Sequence, residues 1–249
     1  MKAMVLAAGL GTRLRPLTDN RPKALVELGG RTLLEITLSR LRDFGIREVI
    51  VNVHHFPDMI ADYLKTKNYF GMRIEISREE DLLDTGGGLK RAAWFFLEGA
   101  AGPEKAFLLH NVDVVSTIDF GSMVQAHAKS HALATLAVQD RETSRYLLFD
   151  DQLNLCGRRA GRDGTPQLIR SSHRFQALAF SGIHVISTRL FRMMDHEDVF
   201  SIIDSYLNLA ASGEKVLGFR VDGSYWRDLG KPEDLKQAER ELKQNTFVR

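Results

Sequence analysis

The chain holds one cysteine, Cys156, so no internal disulfide can form and no Cys/His cluster is available for zinc. That scarcity suits a reducing compartment, and a cytoplasmic location is the expectation. Neither sign of charge is in excess: 34 Lys and Arg face 32 Asp and Glu, a formal net charge of +2. A dedicated nucleic-acid binder carries a stronger basic bias, so no nucleic-acid partner is expected, although a local basic patch for phosphates fits this balance. No apolar run approaches the roughly 18 residues that suggest a membrane span, so no membrane partner is expected. Lys2 followed by apolar Ala3–Leu10 imitates a signal peptide. Arg13, Arg15 and Pro16 follow with no cleavage site, and the segment reads as a buried first strand.

What is present is core material in quantity. With 249 residues, 44% of them hydrophobic, the chain can bury a sizeable core in one or two domains. Met4–Ala7 is a continuous apolar run, the pattern of a strand covered on both faces, and Val49–Val53 reads as the next buried strand. Leu34, Leu38 and Leu41 recur at helical spacing within Leu33–Phe44, and Gly45 stops that helix. Pro57 opens a second helix through Leu64, with Met59, Ile60, Tyr63 and Leu64 assigned to its inner face. Met72–Ser77 alternates as a strand, Asp84–Gly88 reads as a break, and Leu89–Leu97 as a helix with Trp94, Phe95 and Phe96 in the core. Ala106–Leu109 is the next strand. The resulting alternation predicts an α/β fold, with a largely parallel sheet and helices on both faces.

The second half is more mixed. Strands are expected at Ala132–Val138, Arg145–Phe149, Ala177–Ile186 and Lys215–Val221, and helices at Phe200–Ala211 and Pro232–Lys243. Cys156–Ser172 is polar and rich in arginine and glycine, and reads as a mobile loop. No repeat, low-complexity tract or linker interrupts the sequence, so one domain over residues 1–249 is the expectation.

The chemistry concentrates in Gly9–Gly30, a long loop expected to be functional. It begins as Leu6-Ala7-Ala8-Gly9-Leu10-Gly11-Thr12-Arg13 and continues to Pro16, Thr18, Pro22 and Lys23. A buried strand running into a glycine loop presents unpaired N–H groups at the carboxyl edge of a sheet, where phosphate oxygens suit them. Gly9 and Gly11 let backbone approach a triphosphate. Arg13 offers a planar fork to two phosphate oxygens, and Lys23 a point charge. Two familiar phosphate motifs are excluded: Thr12-Arg13 stands where a P-loop has Lys-Ser/Thr, and Leu14 replaces the third glycine of the dinucleotide fingerprint. A lone Gly-x-Gly turn is equally a tight connection, and the surrounding residues make it specific.

Together these residues resemble the signature of the sugar-phosphate nucleotidyltransferases, and the likeness extends over nearly the whole chain. The resemblance implies a Rossmann-like three-layer α/β/α fold with a mostly parallel, mixed sheet. Residues 1–115 would form a nucleotide-binding half and 116–249 a sugar-phosphate half. It implies transfer of NMP from an NTP (UTP, GTP or CTP) to a sugar 1-phosphate, giving NDP-sugar and pyrophosphate with Mg²⁺ as cofactor, by a monomer or small homo-oligomer. Leu6, Ala7, Ala8, Gly9, Gly11, Thr12 and Arg13 would then hold the triphosphate, with Lys23 on phosphate during transfer.

Three further segments fit. Leu83-Asp84-Thr85-Gly86-Gly87-Gly88 resembles the family's stretch beside base and ribose, so Thr85, Gly86 and Gly87 are candidate nucleotide contacts. Asp113, after strand Ala106–Leu109, and Asp228, in Tyr225-Trp226-Arg227-Asp228-Leu229-Gly230, match the family's two metal ligands. Two carboxylates on one cation suit Mg²⁺. Val112 stands where the family usually has glycine. Asn111, Ser181 and Gly182 are candidates for the sugar phosphate, and the family's Glu-Lys-Pro lysine is missing. Arg158, Arg159, Arg162, Arg170 and Arg174 occupy that region, where a solvated basic loop is the simpler reading. His54-His55 has no third ligand in view and is assigned to the rim.

The chemistry needs no dedicated base. A phosphate monoester has a second pKa of about 6, so its oxygen is already nucleophilic at neutral pH. No Ser/His/Asp or Cys/His arrangement stands out, in keeping with this. Rival readings are a cytidylyltransferase for a phospho-alcohol such as phosphocholine, and a non-catalytic nucleotide-sugar sensor. A nicotinamide enzyme is disfavoured by the absent third glycine and by Asn52 and His54 where an acidic residue would be required.

Overall fold

The computed structural model describes residues 1–98, 105–170, 174–194 and 198–244. In chain order the strands and α-helices are β1 (Lys2–Leu6), β2 (Glu27–Leu28), β3 (Arg31–Thr32), α1 (Leu33–Asp43), β4 (Glu48–Val53), α2 (Pro57–Thr66), β5 (Arg73–Arg78), α3 (Asp84–Arg91) and α4 (Ala93–Leu97). Then come β6 (Ala106–Asn111), β7 (Val114–Ser116), α5 (Phe120–Ser130), β8 (Ala134–Gln139), β9 (Arg145–Phe149), β10 (Leu155–Ala160), β11 (Gln167–Leu168) and β12 (Gln176–Ser187). Last are α6 (Ile202–Ala211), β13 (Val216–Arg220), β14 (Trp226–Asp228) and α7 (Pro232–Lys243). The chain divides into two compact units, one of Met1–Leu83, Leu109–Ile118 and Ser224–Arg249, the other of Asp84–Leu108 and Asp119–Gly223.

In the first unit the strand order is β6–β1–β4–β5. β1 pairs parallel with β4, Leu6 opposite Asn52, and β4 parallel with β5. Parallel neighbours need a crossover, and α1 and α2 supply it. Ala3, Met4, Val5, Val49, Ile50, Val51 and Val53 are fully buried, which is why these strands read as apolar, Asn52 excepted. Thr32 caps α1 by accepting the Glu35 N–H at 3.0 Å, and Pro57 opens α2. Met59 is 39% exposed rather than inward-facing, whereas Ile60 and Leu64 are buried as assigned. β7 and β14 form an antiparallel ribbon with Asp228 opposite Val114.

In the second unit antiparallel pairing dominates. β12 pairs antiparallel with β9 and β8, β10 with β9 and β11, and β13 joins β8 in parallel. The register of β12 against β8 shifts between Phe180 and His184, and Gly182 takes a φ of +71° there.

Three expectations are corrected here. Cys156–Ala160 is strand rather than loop, with Gln167–Leu168 as its partner; Ser172 lies outside the described residues. The glycine run is not a break, since Asp84–Gly88 begins α3, and α3 and α4 part at Ala92. Phe95 and Phe96 are buried, but Trp94 is 49% exposed. The mixed sheet with flanking helices is the α/β fold anticipated.

Candidate active site

The site is built on the loop that follows β1. Leu14 is fully buried and anchors a short 3-10 turn, Thr12–Leu14, leaving Arg13 exposed on its outer side. Gly11 enters that turn at φ +66°, and its carbonyl accepts the Thr18 hydroxyl at 2.9 Å. A Cβ on Gly11 would stand 2.9 Å from Thr18 Cγ2 and 3.1 Å from Lys23 Cβ, so both conformation and space demand glycine. Gly9, by contrast, is exposed with open space on its side-chain face.

Lys23 is 8% exposed, and its Nζ donates to Asp113 Oδ2. Asp113 follows β6, and its carbonyl accepts the Leu229 N–H at 2.8 Å, locking the β7–β14 ribbon at the point where Asp228 emerges. Asp228 Oδ1 accepts the Gly230 N–H at 2.7 Å. Arg13 reaches the same turn: a Cβ placed on Gly230 would lie 2.6 Å from Asp228 Oδ1 and 2.8 Å from Arg13 Nη2. Burial, and then the charge of Asp113, hold the Asp228 carboxyl above its ordinary value; Lys23, the Gly230 N–H and Arg13 pull the other way. Two carboxylates and two cations thus converge from segments separated by up to the length of the unit.

Val112, at the family's usual glycine position, is buried and donates its N–H to the Leu6 carbonyl at 3.1 Å, so the valine serves as core. Asn111 closes β6, and its carbonyl meets Nδ1 of buried His110 at 2.8 Å. Leu6, Ala7 and Ala8 lie at the end of β1, and Thr12 is exposed in the turn. His54 Nδ1 contacts the Glu79 carbonyl at 3.0 Å, a partner consistent with a rim position.

The second glycine motif is already engaged within its own unit. The N–H groups of Gly86 and Gly87 donate to the Phe200 carbonyl at 2.9 and 3.3 Å, and the Thr85 hydroxyl accepts the Ile202 N–H at 3.0 Å. A Cβ on Gly86 would meet the Phe200 ring at 2.3 Å, so packing requires that glycine. Ser181 is fully buried next to Gly182 at the irregularity in β12. Among the described residues no group of three or more His, Cys, Asp or Glu could hold a metal ion. No helix there is long and apolar enough to cross a membrane.

A parallel sheet whose first strand feeds a glycine loop, with arginine, lysine and paired carboxylates gathered behind it, defines a phosphate-handling α/β transferase. The Nucleotidyl transferase family profile matches residues 2–149, and the chain belongs to that family. It is 33% identical to an N-acetylmuramate alpha-1-phosphate uridylyltransferase of Caulobacter vibrioides, across 96% of each chain. It is 28% identical to a mannose-1-phosphate guanyltransferase of Yarrowia lipolytica over 94% of this chain, and spans 62% of that protein's length. The fold matches a solved inositol-1-phosphate CTP transferase of T. maritima with a TM-score of 0.73 at 18% identity, covering 100% of this chain and 97% of that one.

Sequence reasoning missed two features. The Lys23–Asp113 pair joins residues 90 positions apart and leaves no local signal. Asn52 and Glu79, 2% and 5% exposed, hydrogen-bond to each other at 2.6 Å. Their one trace in the sequence is a polar residue near the end of β4 and another just after β5.

Proposed function

We propose that this protein transfers a nucleoside monophosphate from an NTP to a sugar 1-phosphate, releasing pyrophosphate. The observation that carries the reading is the convergence of Arg13, Lys23, Asp113 and Asp228 beside the glycine loop. A sugar-phosphate oxygen attacks the α-phosphorus, the bridging α–β P–O bond breaks, and its electron pair leaves with pyrophosphate. The attacking oxygen is already ionised, so no base is required. The protein's task is alignment and offsetting charge. Arg13 grips two phosphate oxygens with its fork, and Lys23 places a buried charge beside the transferring group. Thr12 and the N–H groups from Ala8 to Gly11 hold the triphosphate, and Asn111, at the end of β6, serves the sugar phosphate.

The donor set fits a divalent cation. Burial, and then the charge of Asp113, hold back the ionisation of Asp228 even with Lys23 in place. Hard carboxylate oxygens left with unbalanced charge suit Mg²⁺. When bound, Mg²⁺ would neutralise phosphate charge. The cytoplasm, where NTPs are made and the single cysteine stays reduced, is the proposed compartment.

The full-length match to the uridylyltransferase makes UTP with N-acetylmuramate 1-phosphate the first pair to try. The test is a matrix of UTP, GTP, CTP and dTTP against sugar 1-phosphates, with CTP plus phosphocholine included, read by pyrophosphate release. One productive NTP–sugar pair is expected. Release with phosphocholine alone, or with nothing, overturns the proposal.

A further inference from the structure

Three polar groups at the ends of β1, β4 and β5 form a buried chain whose hydrogen-bond directions are all forced. The Ala7 N–H, the first beyond β1, donates to Asn52 Oδ1 at 2.8 Å. With Oδ1 so assigned, Asn52 Nδ2 faces outward and donates to Glu79 Oε1 at 2.6 Å. The other oxygen, Glu79 Oε2, accepts the Leu83 N–H at 3.2 Å. Backbone N–H groups can only donate, so Glu79 accepts at both oxygens, as a carboxylate does. The Glu79 backbone is fixed as well, its N–H donating to the Val53 carbonyl at 2.8 Å and its carbonyl meeting His54.

Both outer bonds of this chain fall outside the sheet ladder. One lands where the triphosphate loop departs, and the other lands on the residue immediately before α3 and the second glycine motif. A buried polar pair is costly to place at strand ends, and an apolar pair would fill the space without that cost. What the polar pair adds is orientation, because each bond fixes one departing segment at a set angle.

We infer that Asn52 and Glu79 are positioning residues for the nucleoside triphosphate, coupling the segment from Ala7 onward to the segment ending at Leu83. The inference rests on the nucleotidyl-transfer reading above. Neither side chain touches the reacting atoms. Each acts through the backbone it holds.

The forced directions permit a swap test. Asn52→Asp brings two carboxylates together, and Glu79→Gln sets an amide NH₂ against either Asn52 Nδ2 or the Leu83 N–H, so each single variant breaks one bond of the chain. In N52D/E79Q the new carboxylate accepts from Ala7 and from the new amide, whose oxygen accepts from Leu83. All three bonds return with the central one reversed and net charge unchanged. Each single variant is expected to weaken equilibrium binding of UTP, with GTP, CTP and dTTP titrated in parallel, by about 10-fold, the effect of one unsatisfied buried group. KM for the NTP should rise alike while KM for the sugar 1-phosphate stays within about twofold, and the double variant should recover most of the loss. Asn52→Ser, which shortens the link without pairing like charges, keeps the test available if N52D does not fold. Unchanged nucleotide binding in the single variants overturns the inference. So does a double variant no better than the singles, or an equal rise in both KM values with a lowered Tm. If the unaltered chain binds none of UTP, GTP, CTP and dTTP, the nucleotidyl-transfer reading has failed and this inference with it.

Discussion

Arg13 and Gly230 are held in contact across most of the sequence: a Cβ on Gly230 would come within 2.8 Å of Arg13 Nη2. The glycine has no positive φ to explain it, so the space it leaves serves the guanidinium and the Asp228 carboxylate.

Gly230→Ala is therefore expected to displace Arg13 and Asp228 rather than to unfold the protein. A shift of about 1 Å at a reacting group costs about 10²-fold in rate. Arg13→Ala should cost about 10²–10³-fold in kcat, as loss of one charge-stabilising donor does, and Arg13→Lys should recover only part because it lacks the fork. Arg13 is exposed, so Tm should move little in both Arg13 variants. Steady-state kinetics beside thermal melts decide the matter, and full kcat in Gly230→Ala would remove Arg13 from the site.

Asp228 presents a trade between stability and activity. Its folded-state pKa is raised, so the folded chain binds more protons than the unfolded one between the ordinary carboxylate value and the raised value. Stability from this group is complete below that window and is lost as pH rises through it. The ionised form of Asp228 is thereby a net cost to stability. Asp228→Asn should match or exceed the unaltered chain in Tm while losing turnover by orders of magnitude. Added Mg²⁺ should raise the Tm of the unaltered chain and not of this variant, and EDTA should abolish pyrophosphate release. A variant that melts earlier, or transfers at the original rate, contradicts the assignment.

His110 sets an acid limit on the fold. Burial foremost, with the nearby Arg40 charge, lowers its pKa to about 3 from an ordinary 6.5. The unfolded chain therefore binds the extra proton between those values, and stability falls as pH drops through them. The slope from this group is at most about 1.4 kcal/mol per pH unit. His110→Gln should flatten the fall in denaturant-measured stability between pH 6.5 and 3. An unchanged slope would mean that carboxylates alone set the acid limit.

The parts of this molecule legible in the sequence are those where one face or both faces of an element are uniformly apolar. Val49–Val53 announces a buried strand because four of its five residues are β-branched and apolar, with Asn52 the exception, and Leu34, Leu38 and Leu41 announce a helix face. β10 escapes notice because it carries Gly157, Arg158 and Arg159 in sequence, with Arg158 exposed and paired to Asp204 at 2.6 Å. α3 escapes because three glycines each weaken a helix by about 1 kcal/mol, a deficit that close packing of Phe200 on Gly86 offsets. The glycine loop after β1 is legible from its own residues. The groups that hold it (Lys23 against Asp113, Asn52 against Glu79) meet only in the folded chain, and no local spacing encodes such a meeting.

Lys23 offers the sharpest separation of structure from chemistry. Its Nζ lies between burial and charge, with side-chain exposures of 10% for Lys23 and 17% for Asp113. Lys23→Met keeps the apolar stem and removes only the cation. Asp113 then loses its partner, and Asp228 loses one of the three influences that favour its ionised form. Breaking a buried pair costs about 3–5 kcal/mol, and the residual solvent contact places the expected loss at the lower end. Because the remaining carboxylates share one environment, the variant should become less stable as pH rises, the opposite of the His110 limb. Millimolar Mg²⁺ should then restore more Tm to Lys23→Met than it adds to the unaltered chain, since the ion replaces the missing charge. Turnover should stay low even with Tm restored, by about 10²-fold, because a donor to the transferring phosphate is gone. Recovery of both together would assign Lys23 to holding the carboxylates alone. Recovery of neither would take the metal away from this pair.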